Sequence, residues 1–296
     1  MKTLKLFTLL TIVAVLLSSC GNKKGKTAEV QEEEFNLQNY IELAQEITPN
    51  MDDVGQYLKA LDLVNAKYYP VIAHDPYKAP DYKTSYPLAA ALLGIYSIDI
   101  VYHAYGDGID AAYLSFAAAQ ELARYVGVEG AFAATTFDAF EGTAASRDSI
   151  TMLYNNLLME SENYSNEGEI LFVHTAYLVG AYTEKMHIIS TLIQQALNAE
   201  SLTQEEEINL KQSIVIYADR LKTADLLLSA IEAQIDHFQT FVIPDQFFKL
   251  NKLASSIEAS EEEILNMPMQ EIKESELLKE SFKIVSNIRT MLITAS

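Results

Sequence analysis

Cysteine is almost absent from the chain, with one residue, Cys20, in 296. A lone cysteine closes no internal disulfide and, without several imidazole partners, builds no structural zinc site. Glycine and proline are scarce too, at 11 and 7. Apolar residues recur at spacings of three and four rather than two, which excludes a turn-dense β fold and makes the class all-α. Basic side chains are outnumbered, 21 lysines and arginines against 41 acids, for a formal charge of −20. Nucleic acid requires a basic surface, so no nucleic-acid partner is expected, and the folded surface is repelled by anionic headgroups. A P-loop, a dinucleotide fingerprint, a nucleophile elbow and an HExxH motif are all missing, and no cofactor is implied.

The neighbours of Cys20 explain it. Lys2 and Lys5 open the chain, and Leu6 to Leu17 (LFTLLTIVAVLL) is an apolar run with the length of a signal-peptide core, too short to span a bilayer comfortably. Leu17-Ser18-Ser19-Cys20 resembles the bacterial lipobox. That resemblance implies that residues 1–19 are a lipoprotein signal peptide and that Cys20 is acylated as the new N-terminus. Two or three acyl chains, at about 0.8 kcal/mol per buried methylene, hold a soluble domain on a membrane. Cleavage removes two lysines and no acid, taking the formal charge to −22. Residues 20–34 are polar and aperiodic, as a flexible tether is, and a single all-helical domain is expected over 35–296. The expected location is the bacterial cell envelope, lipid-anchored, most simply at the outer membrane, with the periplasmic or outward face left open.

Within the domain, residues 35–48 and 52–66 read as a first helix pair broken at Pro49-Asn50. Residues 67–87 (KYYPVIAHDPYKAPDYKTSYP) hold four prolines and five tyrosines and form an ordered loop or a lid. Leu88–Tyr105 and Ile109–Val126 make an antiparallel αα-hairpin around Gly106-Asp107-Gly108, with Asp107 as N-cap. Shorter helices are expected at 131–141 and 147–163, and a long one from Gly168 to about Asn198. Thr203 with Glu206 and Ser260 with Glu263 are capping boxes. Leu210, Ile214, Tyr217, Leu221, Ala224, Leu228, Ile231, Ile235 and Phe238 form a continuous seam, expected to pack along the preceding long helix, with a self-associating coiled coil as the rival. Pro244 ends that segment, and a last helix runs from about Glu274 to Thr294. The architecture expected is antiparallel helical hairpins forming a bundle or a short superhelical array.

Two polar clusters stand out. Asp99 lies in an apolar helix, where a carboxylate is costly unless paired, and Tyr96, Tyr102 and His103 lie three or four residues away. It reads as a polar knot that fixes packing or as the floor of a ligand pocket. With the loop tyrosines Tyr69, Tyr77 and Tyr82 it forms the candidate ligand-binding set. A weaker stripe, His174, Tyr177, Glu184 and His187, follows one face of the next long helix. His174 and Glu184 are about 15 Å apart at 1.5 Å per residue, too far to share a metal ion. Glu141, Arg147 and Asp148 read as a cap and an ion pair.

KYYP at 67–70, His74-Asp75-Pro76 and Gly94-x-Tyr96-x-x-Asp99-x-x-Tyr102 together resemble a group of helical bacterial lipoproteins of unknown function. That family tends to carry asparagine where this chain has His74. The resemblance implies an all-α lipoprotein and no activity. The hairpin around Gly106 also resembles tetratricopeptide hairpins, although its turn falls about five residues late for that repeat. The expected function is a membrane-anchored binding or scaffolding module for a small ligand, a peptide or an envelope protein. The alternative is a metal-dependent or acid–base hydrolase using Asp99 with His103 or Glu184 with His187.

Overall fold

Helix α1 (Val54–Val64) buries Val54, Tyr57, Leu58 and Leu61, the one-sided stripe of an amphipathic helix. In the computed structural model, residues 54–64, 67–130, 154–155, 158–159, 171–238, 243–257 and 259–295 are described. The chain between α1 and the next helix contains two 3-10 turns, Pro70–Ile72 and Pro76–Tyr82, each opened by a proline. The expected helices at 35–48 and 131–141 lie outside the described residues, as do Cys20, the tether, Glu141, Arg147 and Asp148. Of 147–163 only residues 154–155 and 158–159 are described, and all four are helical.

Helix α2 (Tyr86–Tyr105) is capped by the Ser85 hydroxyl, which accepts the Leu88 amide. Every residue from Leu88 to Ala104 is buried, so it is the central rod of the domain. It is long and apolar enough to cross a membrane, yet it lies almost wholly within the protein. On one side it packs against α3 (Ile109–Val126), the expected hairpin partner; on another it crosses α4 (Leu171–Leu197). The α2–α4 crossing depends on two glycines. A Cβ on Gly94 would lie 2.1 Å from the Tyr177 carbonyl oxygen, and one on Gly180 would lie 1.8 Å from that of Ala91.

Asp107 is not the N-cap of α3. It takes a left-handed φ of 57° and Gly108 occupies the cap position without a side-chain bond. The Tyr68 ring fills the space where side chains on Gly106 and Gly108 would stand, so the turn takes glycine at both positions. At the other end Gly127, with φ of 86°, and Val128 both return their amides to the Ala123 carbonyl.

Helix α5 (Gln204–Leu221) begins with the expected Thr203/Glu206 capping box. The seam that follows is not one continuous helix. It divides into α5, α6 (Ala224–Glu232) and α7 (Ile235–Phe238). At the first break the Thr223 hydroxyl and amide both donate to the Arg220 carbonyl, so local bonds to i−3 replace the i−4 ladder. At the second, Gln234 gives its amide to Ile231 and its side chain to Thr175 on α4. Eight of the nine seam residues are buried and Ile235 is 40% exposed. The seam is therefore internal, and α5 packs chiefly on α1 rather than on α4.

Pro244 opens a helix instead of ending a segment. It sits in the first turn of α8 (Ile243–Ala254), where its missing N–H breaks no helical bond. The second capping box, Ser260/Glu263, starts α9 (Glu261–Asn266), followed by α10 (Met269–Glu274) and the long α11 (Glu276–Thr294). Helix α11 packs on α4 and α8 and touches α2. The described elements belong to one compact unit, Leu37–Ser296, and are helical throughout with no strand among them, an all-α fold.

Candidate functional site

Three elements converge on Asp99. Helix α2 supplies Asp99, α4 supplies Glu184 and α11 supplies Arg289. Asp99 and Glu184 are both fully buried. Arg289 grips Glu184 with two prongs, Nε donating to Oε2 at 2.6 Å and Nη2 to Oε1 at 2.9 Å. The fork geometry of guanidinium on carboxylate makes this the strong kind of ion pair.

Asp99 Oδ2 accepts the backbone N–H of His74 at 3.1 Å, while Oδ1 is buried with no hydrogen-bond partner among the described residues. Burial, and then the negative charge of Glu184, push Asp99 well above the usual carboxyl range. Burial works in the same direction on Glu184, but the Arg289 guanidinium outweighs it and holds Glu184 below that range. The two carboxyl groups are thus pushed in opposite directions, Asp99 toward its neutral form and Glu184 toward its charged form opposite the Arg289 guanidinium.

The same groups fasten the loop at 67–85. Arg289 Nη2 donates to the Ile72 carbonyl at 3.1 Å. Tyr102 binds Tyr69 twice, its hydroxyl oxygen accepting the Tyr69 amide at 3.0 Å and its proton going to the Tyr69 carbonyl at 3.3 Å. Tyr96 donates to the Asp75 carbonyl at 2.9 Å. Tyr82 donates its one proton to the Ile293 carbonyl at 3.0 Å, so its 2.7 Å bond to His74 places the hydrogen on His74 Nε2. The His74 ring also stacks on Tyr96. Burial holds His74 down to about 4, with Arg289 adding to the effect, and raises Tyr82 to about 12.

The residues expected to surround Asp99 do not bond to it. Tyr96 and Tyr102 reach past it to the loop backbone, and His103 Nδ1 pairs with the Tyr68 hydroxyl at 2.7 Å. Burial lowers His103 to about 4. Asp99 is fully buried and accepts the backbone N–H of His74. The loop residues divide: Tyr82 is interior, Tyr69 is 38% exposed and Tyr77 76% exposed.

In the second stripe, Glu184 joins the Asp99 cluster, which the sequence reading keeps separate from it. His187 lies beside Glu184, half-buried, and burial lowers its imidazole to about 4. His174 and Tyr177 are buried on α4 with partners of their own, and burial lowers His174 to about 4 as well. Among the described residues no three His, Cys, Asp or Glu side chains converge in a way suited to a metal ion.

Sequence reasoning misses Arg289, His74 as a ring partner, and Tyr68. A signal for Arg289 does exist: in SFKIVSNIRTMLI it falls four residues after Val285 and beside Ile288, on the buried stripe of α11. A cation on an apolar stripe asks for a buried anion. No protein-family model, no curated protein and no solved structure matches this chain.

Proposed function

We propose that the chain is a lipid-anchored helical binding module of the bacterial envelope that docks a partner protein through the loop at 67–85. One observation carries this reading. The loop backbone is fastened to the core at Tyr69, Ile72, His74 and Asp75, while Val71 and Tyr77 stand in solvent at 87% and 76% exposure. Apolar and aromatic side chains held out on a pre-ordered backbone lose little conformational freedom on binding, which is what a docking anchor requires. The anchor itself rests on the signal core and on Leu17-Ser18-Ser19-Cys20. A partner protein is favoured over a small ligand because Tyr82, Tyr96 and Tyr102 spend their hydroxyls inside the protein. Hydrolysis draws less support, since Asp99 and His103 bond to different groups and Glu184 is held by Arg289.

Photo-crosslinking tests the reading. With p-benzoylphenylalanine at Val71 or Tyr77 of the full chain in its native host, a discrete adduct is expected in the membrane fraction. It should be missing from the Cys20→Ala chain and from a control labelled at Tyr113 on α3, which is 50% exposed. The same adducts from position 113, or none from 71 and 77, would reject the loop as the docking surface.

A further inference from the structure

Two adjoining concavities lie far along the chain from the loop. The first, of about 170 Å³, is walled by α5, α9, α10 and the start of α11, with Ile214, Tyr217, Leu221, Ile264, Ile272 and Leu278 on its surface. Its polar groups are already spent: the Tyr217 hydroxyl donates to Ser281 at 3.2 Å, and Ser275 Oγ accepts the Leu278 amide. What remains is apolar surface. A cavity of about 150 Å³ with such a lining stays dry and takes a benzene ring, so this one fits a single Phe or Leu side chain.

The second concavity is larger, about 660 Å³, and shares Ala259 and Met267 with the first. It adds Glu262, Glu263, Asn266 and Glu271. Glu263 is committed to the Ser260 capping box, but Glu262 and Glu271 have no partner among the described residues. Between Ser260 and Glu276 the chain carries six glutamates and one lysine. An anionic amphiphile such as a fatty acid is repelled from this mouth, whereas a cation beside an apolar group is attracted to it.

We infer that this pair of concavities binds a peptide segment of a partner in which one bulky apolar side chain is flanked by lysine or arginine. The apolar side chain fills the smaller cavity and the basic residues lie along Glu262 and Glu271. A peptide fits better than a free amine because the acidic concavity extends well beyond the space one ammonium group needs. The site uses elements other than the loop at 67–85, so it stands apart from the docking surface proposed above.

The test uses the detergent-solubilised full chain and the synthetic peptides acetyl-KKFKK-amide, acetyl-KKAKK-amide and acetyl-EEFEE-amide, followed by calorimetry and by the methyl signals of Met267 and Met269. The first peptide is expected to bind and to move both methyl signals. The other two should bind at least tenfold more weakly. Changing Glu262 and Glu271, both exposed, to glutamine should weaken the first peptide about fivefold or more and flatten its salt dependence without affecting folding. Filling the cavity with Ala218→Phe should abolish binding. Equal binding of KKAKK or EEFEE, unmoved methionine methyls, or an affinity for phenethylamine equal to that for the first peptide would overturn the inference.

Discussion

Asp99 and Arg289 occupy the same buried cluster, yet substitution at the two positions should have opposite consequences. Asparagine at position 99 keeps the one bond that Asp99 makes, its amide oxygen accepting the His74 N–H, and carries no charge into the buried site beside Glu184. Asp99→Asn should therefore cost less than about 1 kcal/mol near neutral pH, because the His74 amide stays paired and a neutral group replaces a carboxyl that burial already pushes toward its neutral form. Arg289→Met strands the Glu184 carboxylate and frees the Ile72 carbonyl, and should cost about 3–5 kcal/mol. The pH dependence separates the two further. A carboxyl raised in the folded state contributes stability that is complete below its unfolded value, 3.8 for Asp99, and is lost as pH rises through the raised value. Well above pH 7 His74, His103, His174 and His187, lowered from 6.5 to about 4, are largely neutral whether folded or unfolded and drop out of the comparison. Urea denaturation between pH 7 and 9 should show the parent chain losing stability with rising pH and Asp99→Asn losing less. Equal slopes, or a large loss in Asp99→Asn at pH 7, would mean that Asp99 is ionised.

At the scale of the element, the α2–α4 crossing sets how closely the two buried helices approach. An alanine methyl at Gly94 or Gly180 meets backbone, which cannot rotate aside as a side chain does. Gly94→Ala and Gly180→Ala should each cost at least about 1–3 kcal/mol, the usual price of overpacking, despite alanine's better helix propensity. Thermal melting checks this, and an unchanged or raised Tm for either variant would contradict the close approach. Elements whose signals are local, such as α2, α3 and the two capping boxes, are legible in the sequence. The breaks within the seam are not. The spacing of 210–238 is helical throughout, and what divides it is Thr223 bonding back to Arg220 and Gln234 reaching Thr175 on another helix. Pro244 misleads for a related reason, since a proline that stops one helix is equally suited to start the next.

Across the whole molecule, the candidate site joins residues far apart in the chain, His74 with Asp99 at 25 positions, Glu184 with Arg289 at 105 and Ile72 with Arg289 at 217. Sequence spacing reveals which side chains share a helix face, so Asp99 is recognisable as a carboxylate in apolar surroundings and Glu184 as part of a polar stripe. It does not reveal that the two faces meet, nor that the cation between them comes from α11. This long-range cluster holds the loop at 67–85 rigidly enough to present Val71 and Tyr77. Amide hydrogen exchange in the native chain tests it most directly. The amides of Tyr69 and His74, bonded to Tyr102 and Asp99, should exchange nearly as slowly as those of α2, and should lose that protection in Arg289→Met before α2 does. Exchange of these two amides at the rate of an exposed loop in the unaltered chain would contradict a loop held by the buried cluster.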